Sequence, residues 1–216
     1  MLTPSSSPAV ALDVEQKQVT GEYSINLTEA GDLDWLHLKG NGVNNLTQIK
    51  KATSSSVTFS VYGDTGYEGK MDKGGDASYM SYSWIDGMTG FTTGTKDTGF
   101  GVFYPANRNP GSYENVGYDL EVTPHPQAST VVFALGAWQA KVDVKFYADG
   151  ALYDTKKVNA GGTSQIYKYQ IKVPAGAALK VEVRQTDTLS QWGNMSFSGL
   201  VVSSKEVTDK SQLLSE

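Results

Sequence analysis

The sequence predicts a single all-β domain, an antiparallel β-sandwich, on three observations. Apolar and polar residues alternate with a period of two, turn-forming residues break these runs every 8–12 residues or so, and no apolar stripe has helical spacing. Val57-Thr58-Phe59-Ser60-Val61-Tyr62 sets Val57, Phe59 and Val61 on one face. Val142-Asp143-Val144-Lys145-Phe146, Tyr167-Lys168-Tyr169-Gln170-Ile171-Lys172-Val173 and Leu179-Lys180-Val181-Glu182-Val183-Arg184 repeat the pattern. Such alternation marks strands with one face on a core and the other in water.

One run differs. Val131-Val132-Phe133-Ala134-Leu135-Gly136-Ala137 is continuously apolar, so it reads as a central strand buried on both faces; β-branched residues at one end and Gly near the other argue against a helix. Between strands, Ala148-Asp149-Gly150-Ala151 reads as an Asp-Gly hairpin, while Asn159-Ala160-Gly161-Gly162 and Pro174-Ala175-Gly176 punctuate the next gaps. About ten to twelve strands can be counted this way. Residues 1–16 have the Ser/Pro character of a linker with a short apolar run, 17–204 form the sandwich, and 205–216 change character again. There Thr208 or Asp209 caps a prospective helix through Leu214, as a linker or the opening of another domain.

Composition narrows the function classes. A chain of 216 residues buries about 70% of the surface its unfolded form exposes, enough for a core without staples, and Cys is 0. Disulfide scaffolds and thiolate metal or redox sites are thereby excluded. A net charge of -5 gives no footprint for nucleic acid, and no stretch of about 18 apolar residues spans a membrane. With 19% charged residues, 23 Gly and abundant Ser, Thr, Asn and Tyr, the composition is of a kind common in secreted bacterial modules. Met1-Leu2 leads into a polar Ser-Pro run rather than a signal peptide, so the start reads as cut from a longer exported polypeptide.

Catalytic constellations are sparse. His37 alternates onto the same side as Trp35 and reads as a satisfied histidine at the core edge, and His125 lies between Pro124 and Pro126. Neither has metal-ligand spacing to the other. Asp64, Asp86 and Asp149 stand close to Gly, where turn formation accounts for them. No nucleophile elbow, phosphate loop or dinucleotide fingerprint is present. No cofactor is indicated; a structural calcium ion stays open, without a spaced oxygen-ligand motif to mark it.

The aromatic residues carry more information. They make up 11% of the chain, with 12 Tyr, 7 Phe and 4 Trp. Tyr67, Tyr79, Tyr82 and Trp84 gather around a Gly/Asp/Lys/Ser-rich loop; Tyr104, Arg108 and Tyr113 belong to a long second loop; Gln191 and Trp192 stand in a third. Trp35 and Trp138 alternate with apolar neighbours inside strands, which favours core, although Trp138 at a strand end suits either role. Loop aromatics flanked by Asn, Gln and Arg suit sugars, whose CH faces stack on rings while their hydroxyls meet polar edges. The candidate ligand-binding residues are therefore Tyr67, Tyr79, Trp84, Tyr104, Arg108, Tyr113, Trp138, Gln191 and Trp192.

Asp34-Trp35-Leu36-His37, then Tyr82-Ser83-Trp84-Ile85-Asp86-Gly87, then Leu135-Gly136-Ala137-Trp138 with the following strand and its Asp149-Gly150 turn, resemble a family in their order and spacing. It is the galactose-binding-like, jelly-roll β-sandwich module appended to secreted bacterial polysaccharide-degrading enzymes. Met195-Ser196-Phe197-Ser198-Gly199-Leu200-Val201-Val202 is similar to its last strand, and the likeness covers about residues 19–203. The resemblance implies a non-catalytic carbohydrate-binding module, outside the cell, covalently linked to a glycoside hydrolase or lyase and bound to polysaccharide or oligosaccharide. It also implies that the Trp-bearing motifs are structural and that variable loops choose the ligand; Arg108 points there to an anionic, uronic acid polymer. The tail from Thr208 is similar to the helical repeats that follow such modules. A structural or adhesion domain with core aromatics and no ligand of its own is the alternative, with a hydrolase or lyase domain behind it.

Overall fold

The computed structural model describes residues 10–20, 23–40, 42–70, 80–106 and 116–207. Among them seventeen strands and one helical turn follow in order: β1 Asp13–Val19, β2 Tyr23–Asn26, α1 Leu27–Ala30, β3 Asp34–Gly40, β4 Gly42–Val43, β5 Leu46–Lys50, β6 Val57–Gly63, β7 Thr65–Lys70, β8 Met80–Trp84, β9 Gly94–Asp97, β10 Phe100–Pro105, β11 Val116–Val122, β12 Ser129–Trp138, β13 Ala140–Ala148, β14 Ala151–Ala160, β15 Gln165–Val173, β16 Leu179–Thr188 and β17 Asn194–Ser203. The surplus over the ten to twelve expected lies in strands such as β2, β4 and β9, of two to four residues, too short to show alternation.

The architecture is an all-β sandwich with an added layer. A nine-stranded sheet in the order β1-β15-β12-β17-β10-β7-β4 faces a five-stranded sheet, β14-β13-β16-β11-β6. Strand β17 is shared lengthwise: its first part pairs with β10, its later part with β3, and β3 carries β5. Between the sheets lies the main core, fed by every second residue of the alternating strands. Val142, Val144 and Phe146 meet Val181 and Val183 on one side; Phe133, Leu135, Tyr169 and Ile171 close it from the other. Phe59 and Phe197 stack nearly parallel at 5.5 Å, as do Phe133 and Tyr169 at 4.9 Å. Burying each such ring contributes about 1.5–3 kcal/mol.

The apolar run of β12 is explained by a third sheet, β2-β8-β9, on the outer face of the nine-stranded one. Val131, Phe133 and Leu135 point into the main core, whereas Val132 and Ala134 meet Met80, Tyr82 and Trp84 in a second. The Asp-Gly hairpin forms as expected between β13 and β14. Asp149 (φ 49°) and Gly150 (φ 82°) adopt the paired left-handed conformations of a type I′ turn. Asp149 Oδ1 then accepts the Ala178 amide at 2.8 Å, tying this turn to the next.

At the other end of the chain the expectation shifts. Strand β1 begins at Asp13 and pairs with β15 from Lys172 to Ile166, and Leu12 is buried in the main core, so the sheet starts inside the stretch read as linker. The apolar residues at 10, 12 and 14 are what dock it. The helix expected from Thr208 lies outside the described residues.

Strand directions give the sandwich two poles. Strands β6, β10, β12, β14 and β16 run toward one, here the apex, and β7, β11, β13, β15 and β17 run away from it, as their antiparallel registers require. The apex gathers the β6–β7, β12–β13, β14–β15 and β16–β17 connections. Strand β1 starts, and β17 ends, at the opposite pole.

Candidate functional site

The motif residues that stand out in the sequence build a buried box. Trp35 is fully buried, and its Nε1 donates to Asp86 Oδ1 at 3.0 Å. Asp86 also accepts from Thr28 Oγ1 at 2.6 Å and faces Lys51 Nζ at 3.5 Å. His37 is buried too, with Nδ1 2.8 Å from Ser198 O and Nε2 3.2 Å from Asp97 Oδ1, its ring 4.7 Å from Tyr82 and 5.3 Å from Trp84. Lys39 and the Gly99 amide complete the shell of Asp97. Burial works against that charge, but the bonds from His37, Lys39 and Gly99 outweigh it and hold the carboxyl well below the usual range. Here the ligand expectation for Trp84 is corrected. The ring is 2% exposed, donates Nε1 to Phe91 O at 2.8 Å and rests on Gly94, because β8 is a strand of the third sheet and not the edge of a loop.

The apex is organised differently. Trp192 is 53% exposed and Leu189 54%, with Gln191 exposed between them. The loop that presents them bonds to itself and to the neighbouring turn. Thr188 Oγ1 donates to Gln139 O at 3.0 Å, and the Leu189 amide donates to the same oxygen at 2.8 Å. Ser190 Oγ donates to Gln139 Oε1 and accepts the Trp192 amide at 3.2 Å. The Gly193 amide donates to Ser190 O at 3.0 Å, and Asn194 Nδ2 donates to Trp192 O at 3.0 Å. Gly193 has no room for a side chain: a Cβ there would lie 1.9 Å from Thr188 Oγ1 and 2.3 Å from Gln139 O. Gln139 itself has φ 47°, a left-handed conformation uncommon outside Gly and Asn, at the single residue that carries the chain from β12 to β13. Asp187 bonds the Thr188 amide at 2.8 Å and Lys141 Nζ at 2.6 Å. The Lys141 bond, then the amide, lowers its carboxyl below the ordinary value.

Trp138 ends β12 opposite Asn194 and is half-buried, so the two turns joined through Gln139 bring Trp138 and Trp192 to one corner. Tyr104, also half-buried, lies flat on Gly66, where a Cβ would meet its ring at 2.4 Å. Tyr67 packs partly against the main core. Tyr79, Arg108 and Tyr113 lie outside the described residues. Sequence reading missed the residues that hold the loop: Gln139, Thr188 and Ser190. Their signal was present only as the run Thr188-Leu189-Ser190-Gln191-Trp192-Gly193, in which hydroxyls flank an exposed ring.

A second polar surface covers the outer face of the five-stranded sheet. Asp119 and Glu182 are direct cross-strand partners, bridged by Lys180 Nζ at 3.2 and 2.9 Å. Arg184 Nη2 bonds Asp119 at 2.5 Å, and its guanidinium lies 3.7 Å above the Tyr62 ring. Partial burial works against the Glu182 charge, but Lys180, the Tyr147 hydroxyl at 2.9 Å and Arg184 hold it below the usual carboxylate range. Both carboxylates are thus held by ion pairs and hydrogen bonds across the outer face of the sheet. An open groove of about 500 Å³ at the opposite pole has no aromatic lining, and its Lys172 pairs with Asp13 and Glu206. Among the described residues no three His, Cys, Asp or Glu side chains group to hold a metal ion.

No family model matches the chain, and no curated protein matches its sequence. Among solved structures it is similar to the C-terminal family 22 carbohydrate-binding module of Clostridium thermocellum Xyn10B, studied for its cleft residues in ligand binding. The identity is 12% and the TM-score 0.37, over 72% of this chain and 91% of that one.

Proposed function

We propose that this chain is a non-catalytic carbohydrate-binding module with its site at the apex, around Trp192. The observation that carries the reading is the exposed Trp192 ring on a loop whose own hydroxyls and amides are already bonded within the loop or to Gln139. An ordered aromatic face covers the CH face of a pyranose without a large ordering cost on binding. Gln191 and Asn194 stand beside it to meet hydroxyls. In this proposal the apex faces a polymer and the rest of a secreted bacterial hydrolase or lyase is attached elsewhere. That attachment and an extracellular location are part of the proposal.

Affinity electrophoresis and calorimetry against neutral and uronic acid polysaccharides test it. Retention by at least one polymer is expected, with complete loss in Trp192→Ala while the thermal unfolding midpoint stays nearly unchanged. The uronic acid polymers are included because of Arg108. No retention on any polymer overturns the reading and leaves the structural or adhesion alternative.

A further inference from the structure

Resting on that reading of Trp192, we infer that the apex takes an internal stretch of an oligosaccharide chain, more than one pyranose ring long, and not a single terminal sugar. The support comes from the register of the nine-stranded sheet. Ala137 faces Met195 across β12 and β17, and Met195 faces Phe103 across β17 and β10. All three are fully buried in the main core. Side chains alternate along a strand, so the next residues toward the apex, Trp138, Asn194 and Tyr104, project from the opposite, outer face. Trp138 is paired with Asn194, and Tyr104 with Gly66.

Three neighbouring strands thus present Trp, Asn and Tyr in a row, spanning two strand spacings, about 10 Å. Gly66 lies beside the row, under the Tyr104 ring. Asn194, in the middle of the row, joins it to the loop through its bond to Trp192 O. The composition of the row is as telling as its length. Across the strands the Asn194 amide stands between the Trp138 and Tyr104 rings, and Gln191 stands beside Trp192 in the loop, an order that suits successive CH faces and hydroxyl edges. Lys141, the cation bonded at this corner, is already paired with Asp187.

The test is calorimetric titration of the whole chain with homologous series of cello-, xylo- and galacturono-oligosaccharides from one to six units. For the series that binds, affinity is expected to rise at least ten-fold from the single sugar to the tetramer and then level off. Trp138→Ala and Tyr104→Ala should flatten that rise. Because Trp138→Ala can perturb folding, the wild-type chain supplies an independent readout: the Trp138 indole N–H resonance should shift with the tetramer and not with the monosaccharide. Equal affinity for one and for six units overturns the chain-length inference and leaves the carbohydrate module standing. Binding that requires a free non-reducing end does the same. No binding to any series overturns both.

Discussion

The four tryptophans of this chain divide into two pairs with opposite fates. Trp35 and Trp84 lie 5.8 Å apart in the second core, each with its indole N–H given to an acceptor, Asp86 for one and Phe91 O for the other. Trp138 and Trp192 sit at the apex, half-buried and half-exposed. The residue type is the same, and the difference is a cover. The third sheet lies over the outer face of β12 and β17 at Val132, Ala134 and Val201, and there a tryptophan can be sealed and its donor satisfied. Nearer the apex, Trp138 and Tyr104 remain partly open on that same face. Burial makes the first pair an anchor, while the second pair keeps part of its ring surface exposed.

The contrast breaks most visibly if the anchor is removed. Trp35→Ala deletes a fully buried ring and is expected to cost about 3–5 kcal/mol, measured by urea denaturation. A loss below about 1 kcal/mol would mean that the third sheet does not depend on this contact. Asp86→Ala should cost less, about 1–3 kcal/mol, because it leaves the Trp35 indole N–H and Thr28 hydroxyl without their acceptor. Asp86→Asn, which keeps an acceptor, should recover part of that loss; equal damage from both variants would point to the Lys51 ion pair instead.

Acid should loosen the same anchor through Asp97. Asp97 has its carboxyl depressed in the folded chain, so its contribution is present above the unfolded value of about 3.9 and is lost as pH falls toward the lower folded one. Comparison of wild type with Asp97→Asn from pH 7 to pH 2.5 should show a stability gap on the order of 1–2 kcal/mol that begins to narrow below about pH 4. A gap that stays constant with pH would show that Asp97 acts through shape and not charge.

How far these regions were legible in the sequence follows from the same difference. The sandwich was legible because strands such as β13 and β16 alternate along their whole length, and the continuous run of β12 correctly signalled burial on both faces. The short strands of the third sheet carry too few residues to show a period, so Tyr82 and Trp84 looked like loop aromatics when they are the roof over Trp35 and His37. Gln191 and Trp192 could be suspected from their polar surroundings. What could not be read was the staple, since Gln139 meets Thr188 and Ser190 only after two connections from different sheets converge, 49 and 51 residues apart in the chain.

The smallest effect on stability belongs to that staple, and it sharpens the comparison most. Ser190→Ala removes the hydroxyl that accepts the Trp192 amide and donates to Gln139, both on a partly exposed loop. Stability should change by no more than about 0.5 kcal/mol, since nothing buried loses its partner. If the loop is an ordered platform, however, freeing it means that binding must order it again, at about 0.5–1.5 kcal/mol for each rotamer-rich side chain immobilised. Sugar affinity measured by calorimetry should therefore fall roughly two- to ten-fold, with the loss entropic and the melting temperature nearly unmoved. A variant that binds as tightly as wild type would separate the exposed ring from the loop that holds it. Trp192 would then act through its area alone, and the contrast with Trp35 and Trp84 would reduce to exposure, without the pre-ordering that the Gln139 bonds provide.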